Sequence, residues 1–412
     1  MKNLRDVDPL VLTSILALLA LGVAMVYSAG AIYAAEVHGR EAFYIRRHVV
    51  FALLGLAAMA TTASVPYQRW RPWTYPILIG VGLLLLIVLI PGVGVTMGGA
   101  TRWLPAGPVF LQPSELAKLA LVLYLAYSLE KKQSHIGTFS IGILPHLVFS
   151  GAILVLILVE PDYGTTMTLA SLLFIMMFVA GVRIVHLAGL LAAGLPLAWL
   201  ALMGAEYRRA RITAFLDPWA HSNDSGFQLI QSWLAFRSGG LFGVGLGESA
   251  QKLFYLPSAH TDFIFSVIGE ELGLLGVAGV IGLFGLFVFR ATQICAEAPD
   301  LFGRLLGIGL ALLIGMQAAI NMSVVMGLLP TKGLTLPLIS YGGSSLVLTL
   351  AMLGILLNVT AQARRRTVLD VRSRNPFSRI SSGRHRARAG ALPASAGSPR
   401  TGSYRPVTAN RT

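Results

Sequence analysis

The chain of 412 residues is 55% hydrophobic and only 12% charged, with a mean hydropathy of +0.72, whereas a soluble globular domain carries about a quarter charged residues. Composition therefore excludes a soluble protein and indicates a membrane protein with several spans. The single cysteine, Cys295, excludes an intramolecular disulfide framework and a cysteine-based metal site, and much of the formal charge of +14 sits after residue 363.

Lys2 and Arg5 precede the first apolar run, at about 9–34, which is longer than the ~7–15-residue core of a signal peptide and reads as a retained span. Further runs at about 48–65, 74–91, 113–130, 142–159, 164–182, 185–203, 262–290, 303–328 and 337–362 each approach the ~20 residues that a bilayer core requires. The expected fold is an all-α polytopic membrane protein of about ten transmembrane helices. A transmembrane domain covers 1–362 and a basic tail 363–412. Ten spans put both termini on one side, and the lysines and arginines near span ends make that side the cytoplasm. The outer side still keeps Arg46, Arg47, Arg102, Arg208, Arg209, Arg211, Arg237, Lys252 and Lys332. Such an excess points to an anion handled there.

The longest connection, about 204–261, falls between the seventh and eighth spans as an extracytoplasmic loop. Within it, 226–236 mixes apolar and amide side chains and predicts an amphipathic helix lying on the membrane interface. The glycines that follow, from Gly239 to Gly247, suit tight turns. Beyond Arg364 the chain is rich in Ser, Gly, Pro and Arg, with no acidic residue after Asp370. That composition predicts disorder and an affinity for an anionic inner leaflet; nucleic-acid binding is not expected.

Asp262 stands where a polar loop enters an apolar segment, next to His260 and ahead of Glu270 and Glu271. Two roles are open to it: capping the first amides of the helix that follows, or chemistry, since an ionisable group at membrane depth is costly without a task. Glu115 and Lys118, three apart, share a helix face; they form either a structural ion pair or a substrate or cation site, with Arg102 nearby. Arg208, Arg209 and Arg211 have the forked geometry that grips phosphate, or they touch lipid headgroups. Asn321, Lys332, Ser344 and Ser345 belong to a third polar set, in which two prolines and four glycines break the helical pattern. Together these sets describe an outward-facing cavity for a lipid-linked phosphate.

The motifs Gln112-Pro113-Ser114-Glu115-Leu116-Ala117-Lys118, Pro161-Asp162-Tyr163-Gly164-Thr165, Tyr207-Arg208-Arg209-Ala210-Arg211, Leu256-Pro257 with His260-Thr261-Asp262-Phe263-Ile264-Phe265, and Gly342-Gly343-Ser344-Ser345 resemble the SEDS (shape, elongation, division and sporulation) family over roughly residues 10–362. Pro330-Thr331-Lys332-Gly333-Leu334-Thr335-Leu336-Pro337 and Gly269-Glu270-Glu271-Leu272-Gly273 resemble its division branch more than its elongation branch. The resemblance implies a ten-helix peptidoglycan glycosyltransferase that polymerises lipid II on the outer face of the cytoplasmic membrane. Its implied partners are the growing lipid-linked strand, a class B penicillin-binding protein and other division-complex proteins. The family's essential aspartate falls on Asp262, and its acid and lysine on Glu115 and Lys118. Ser258 departs from the family pattern, where a glutamate is expected.

Those assignments give Asp262 as the base and Arg208, Arg209, Arg211 and Lys332 as the grip on the leaving pyrophosphate. Arg102, His260, Ser344 and Ser345 complete the expected substrate site. A divalent cation, Mg²⁺ or Mn²⁺, would suit oxygen ligands from Asp262 or Glu115 with the phosphates; no organic cofactor is expected. The rival reading is a transporter that moves lipid II or another lipid-linked sugar, and it predicts ionisable residues spread through to both membrane faces.

Overall fold

The computed structural model describes residues 7–97, 100–107, 109–204, 206–222, 226–252 and 259–374, without the side chains of 106, 197–198, 201–202, 206–208 and 367–374. Residues up to Arg366 form one compact unit. The tail expected from 363 begins later in the described part, because the last helix runs on to Arg374; the rest of the tail lies outside the described residues.

Helix α1 (Pro9–His38) starts at Asp8, whose carboxylate accepts from the amides of Leu10 and Val11, with proline in the first turn. Then come α2 (Phe43–Ser64) and α3 (Thr74–Val88). A small antiparallel sheet follows, β1 (Val95–Met97), β2 (Ala100–Ala106) and β3 (Val109–Leu111), in spatial order β1-β2-β3. Val95 pairs with Trp103, and Leu104 with Leu111. The sheet is an addition to the expected all-α fold. After it come α4 (Pro113–Lys131), α5 (Leu144–Val159), α6 (Tyr163–Val179), α7 (Ile184–Met203), α8 (Glu206–Leu216), α9 (Phe227–Gly239), α10 (Ile264–Cys295), α11 (Leu301–Val325) and α12 (Gly343–Arg374).

Each of the ten apolar runs has its helix: α1 to α7 and α10 to α12. Six of these helical segments are long and apolar enough to cross a bilayer, and α3, α6 and α7 are shorter apolar helices. The remaining one, α4, carries charge at both ends and is buried almost all round, from Ser114 to Leu129. It packs against α3 and α11, and a helix that is apolar on every side is expected at such a centre. α12 is tied to α2 by polar contacts: Thr62 Oγ1 donates to the Ala351 carbonyl at 2.8 Å, and Asn358 Nδ2 donates to the Ala63 carbonyl at 2.7 Å.

Because the spans alternate in direction, α2, α4, α6, α10 and α12 all begin on the same side. Their first turns carry Arg46 and Arg47, Glu115, the Asp162 cap, the Asp262 turn, and Ser344 with Ser345. Unpaired amides at helix starts carry partial positive charge, so this side gathers several fields that favour an anion.

Two local features differ from expectation. Helix α9 does form, but it packs along α10. Its Ser232 hydroxyl donates to the Val325 carbonyl at 2.7 Å and its Trp233 ring to the Met326 carbonyl at 3.1 Å, so polar atoms that looked bound for water satisfy the end of α11 instead. Helix α10 is broken at Gly273, which has φ +66 and ψ −164.

Candidate active site

The turn from His260 to Asp262 is fixed through its backbone. The His260 carbonyl accepts from the Tyr341 amide at 3.0 Å, the Thr261 carbonyl from Ser340 Oγ at 2.6 Å, and the Asp262 carbonyl from Asn321 Nδ2 at 2.9 Å. Asn321 Nδ2 also donates to the Leu334 carbonyl, which locks the 330–340 loop to the same turn. Phe263 occupies the cap position of α10 without a side-chain cap bond. The Asp262 carboxylate is therefore not the cap of α10.

That carboxylate lies against Gly333, where an added Cβ would stand 3.4 Å from Oδ2. Burial pushes its pKa up to about 6, opposed by the charges of Arg211 and Arg102 and reinforced by Asp162. Arg211, on α8, donates to the Thr331 carbonyl at 3.2 Å and so reaches the same loop. Arg209 is exposed, and the side chain of Arg208 lies outside the described residues. Of the three expected arginines, Arg211 is the one brought to Asp262.

Arg102, on β2, spans to the α5–α6 junction. Its Nε donates to the Glu160 carbonyl at 3.1 Å, Nη2 donates to the Pro161 carbonyl, and Nη1 lies 4.0 Å from Asp162. Asp162 caps α6 through the Thr165 amide at 3.1 Å and accepts from Ser114 and Gln112 at 3.2 Å each. Asp162 stood in a quoted motif without a role; the structure gives it one, tying α4 to α6 beside Asp262. Glu160 was missed. It is buried with neither carboxylate oxygen hydrogen-bonded. Burial pushes its pKa up to about 8, with Asp162 adding to the rise and Arg102 opposing it. The signal available in the sequence was two acids flanking a proline between two apolar runs.

Glu115 and Lys118 form a buried pair at 2.7 Å. Lys118 also donates to Gln317 Oε1 at 2.9 Å, Gln317 donates to the Thr335 carbonyl at 3.2 Å, and Ser345 donates to Glu115 Oε2 at 3.0 Å. This network joins α4, α11, α12 and the 330–340 loop. Gln317 was invisible in the sequence because a single amide in an apolar run has no partner to announce it. Ser345, expected on substrate, holds Glu115.

His260 stacks with Tyr44, Tyr33 and Tyr341 at centroid distances of 4.5, 5.6 and 5.8 Å. Burial lowers its pKa to about 4, so it is neutral at physiological pH and adds no positive charge. Lys332 Nζ rests on the Met167 sulfur of α6, and burial lowers its pKa. Ser344 lines a cavity of about 490 Å³ with Arg46, Arg47, Phe51, Trp103 and Tyr341. Tyr341 thus borders both this cavity and the His260 turn.

For a metal ion, no group of three His, Cys, Asp or Glu side chains among the described residues could serve. Both oxygens of Glu115 are already engaged by Lys118 and Ser345, so the residues do not fit a cation held between Glu115 and Asp262.

A bundle of mostly apolar helices, with a buried carboxylate at one end that has guanidinium neighbours, defines a polytopic membrane protein suited to an anionic substrate at that face. The chain belongs to the FtsW/RodA/SpoVE family of cell cycle proteins, whose family model matches residues 9–365. It is 46% identical over 364 residues to the probable peptidoglycan glycosyltransferase FtsW of Geobacter metallireducens, covering 88% of this chain and 97% of that one. It is 42% identical over 357 residues to stage V sporulation protein E of Bacillus subtilis, covering 87% and 98%. Among solved structures it is similar to a chain of a peptidoglycan synthase complex described as coordinating polymerization and crosslinking, with TM-score 0.71, 32% identity, and 87% and 98% covered. It is also similar to the rod shape determining protein RodA of Thermus thermophilus, with TM-score 0.64, 30% identity, and 86% and 96% covered.

Proposed function

We infer that this protein is a peptidoglycan glycosyltransferase that polymerises lipid II, and that Asp262 is its general base. The observation that carries the second part is a carboxylate with a pKa near 6, not used for capping, facing the charges of Arg211 and Arg102. In each cycle the sugar 4-hydroxyl of one lipid-linked disaccharide gives its proton to Asp262. Its oxygen forms a bond to the anomeric carbon of the growing strand, and the bond from that carbon to the lipid pyrophosphate breaks. The pyrophosphate leaves with the electron pair. A base whose pKa lies just below the working pH is mostly ionised and still a competent proton acceptor. Charge builds on the leaving pyrophosphate, where Arg211, Arg102 and the unpaired amides at the helix starts are already oriented. The cavity lined by Arg46, Arg47, Phe51 and Trp103 offers both guanidinium groups and apolar walls, as a polyprenyl pyrophosphate needs. A divalent cation would have Asp262 as its candidate carboxylate and would depend otherwise on substrate oxygens.

The description of the family as cell cycle proteins supports a setting in cell division, and the lysines and arginines near span ends support termini in the cytoplasm with the site on the outer face. The synthase complex of the solved neighbour supports a cross-linking partner of the class B penicillin-binding protein type. The motif residues expected at the site fall around Asp262 at one end of the bundle, while the charges at the other end are paired with one another, and this favours polymerisation over transport. The test is polymerisation of lipid II by purified protein with its transpeptidase. Asp262→Asn is expected to retain fold and lipid II affinity while the rate falls by about 10²–10⁴-fold. A variant that builds strands at the wild-type rate moves the base to another group.

A further inference from the structure

The break in α10 and the loop before it form a second polar centre that the chemistry above leaves unused. At Gly273 the helix opens, and the segment after α9 fills the gap: Val244 and Gly245 donate to the Glu270 and Glu271 carbonyls at 3.0 and 3.1 Å, while the Leu274 amide donates to the Gly240 carbonyl at 2.9 Å. Gly243, at φ +80, and Gly273 touch backbone to backbone, so a side chain at either would collide with the other strand. The side chains at the break then reach further along the same segment. Glu270 accepts from Ser249 Oγ and from the Ala250 amide at 3.1 Å. Glu271 accepts from Lys252 Nζ at 3.1 Å and from Ser28 Oγ of α1 at 2.6 and 2.7 Å. Lys252 and Glu271 are 4% and 0% exposed.

This centre also has a defined depth. The other polar tie between α1 and α10 is Asp8 with Arg290 at 3.1 Å. Ser28 follows Asp8 by 20 residues, and Glu271 precedes Arg290 by 19. At about 1.5 Å per residue both separations are near 30 Å, the thickness of a hydrocarbon core. The Lys252–Glu271 pair therefore sits at the outer boundary of the hydrocarbon, buried in protein, with Glu271 nine residues after Asp262.

We propose that Lys252, Glu271 and Ser28 are positioning residues: they hold the first turns of α10, before the break at Gly273, against α1 and so fix the helix start next to Asp262, as Asn321, Ser340 and Tyr341 fix the turn before it. The proposal rests on the polymerase reading, with Asp262 as base. Asp262 stands two residues before α10 begins, so a shift of those turns relative to α1 would carry its carboxylate away from Arg211 and Gly333, and the rate of the chemical step depends on that placement.

The experiment compares Glu271→Gln, Lys252→Met, Lys252→Arg and Ser28→Ala with Asp8→Asn, which cuts the tie at the other boundary. Each is measured as purified protein with its transpeptidase on lipid II, with Tm in detergent. Glu271→Gln and Lys252→Met are expected to lose at least ten-fold in kcat with KM within two-fold, and Lys252→Arg to recover most of it. Ser28→Ala removes one hydroxyl and keeps the fold testable if the charge variants do not accumulate; it is expected to lose several-fold in kcat and to move the acid limb of the pH–rate profile. Asp8→Asn is expected to lower Tm with kcat unchanged. Wild-type kcat and acid limb in Ser28→Ala, or losses in the charge variants that only parallel Tm as in Asp8→Asn, overturn the proposal. Activity retained by Asp262→Asn instead overturns the reading beneath it.

Discussion

At the end of the bundle where α1 begins, Asp8 lies 3.1 Å from Arg290 and 3.5 Å from Arg364, and Arg71 bridges Glu130 at 2.8 Å and Asp300 at 3.3 Å. At the other end Glu160 is buried with both oxygens bare, Asn321 Oδ1 has no hydrogen-bond partner, and Ser344 Oγ has none either. The first set neutralises itself and fastens helices. The second leaves polar capacity unspent, although a buried polar group without a partner costs about 1–3 kcal/mol. Such a cost persists where a bound substrate supplies the missing partners. Single unsatisfied atoms occur at the fastening end too, among them Arg71 Nε and Arg290 Nε, so what separates the ends is the state of the carboxylates: Asp8, Glu130 and Asp300 are ion-paired at one, while both oxygens of Glu160 are bare at the other.

The sharpest way to break this comparison is at the Glu115–Lys118 ion pair of the working end, which is fully engaged. Lys118→Met leaves the buried Glu115 carboxylate facing only Ser345, and removing one member of a buried pair is expected to destabilise by about 3–5 kcal/mol. Lys118→Met with Glu115→Leu should lose clearly less, because no orphaned charge remains. Thermal unfolding in detergent reads both, and equal losses would mean that the pair does not act as a unit.

Asp262 tests the opposite sign. Its folded pKa, about 6, is raised above the ordinary aspartate value of 3.8 by burial, so the folded state prefers the protonated form. Stability from this group is fully present below pH 4 and is lost as pH rises through 6. Asp262→Asn should therefore gain about 2–3 kcal/mol at pH 7–8 while losing activity, and the gain should vanish near pH 4. A variant no more stable than wild type at pH 8 would remove the strain assigned to this carboxylate.

The same group sets the pH dependence of the rate. A base must be ionised, so kcat should fall about ten-fold per pH unit below 6 and level off above it. Arg211 pulls the pKa of Asp262 down; Arg211→Ala should move this limb to higher pH, whereas Arg209→Ala, at an exposed position, should leave it in place. Titration of initial rates in the three proteins distinguishes the arginine at the site from the one at the surface.

The spans were legible because ten apolar runs of bilayer length leave few alternatives, and Asp262, Glu115 and Lys118 stood out because charge is rare in such runs. Three features were not legible. The sheet strands β1 and β3 are three residues each, too short for an alternation to register. The polar atoms of Ser232 and Trp233 read as facing water, since the carbonyls that receive them come from residues 93 positions away. The break at Gly273 falls inside a helix-length run, where a glycine is ordinary until another backbone crosses it. Within the site, sequence motifs named residue types correctly but not their partners: Arg102 was grouped with Glu115 and pairs instead with the α5–α6 junction, and Ser345 turns from substrate to Glu115.

The fastening end offers the smallest effect and the clearest control. Arg71 is about a third exposed (35%), and Glu130 and Asp300 are 23% and 31% exposed, so solvent screens these contacts and the desolvation that makes buried pairs costly to break is largely absent. Arg71 also lies over the Phe302 ring at 5.0 Å, a contact that survives in a lysine variant only in part. Arg71→Ala should cost at most about 1 kcal/mol, diminish further at high salt, and leave kcat, KM and the acid limb of the pH–rate profile at wild-type values. A loss of polymerisation in Arg71→Ala comparable to that of Lys118→Met would show that charge at the two ends is coupled through the bundle, and the division between a fastening end and a working end would have to be abandoned.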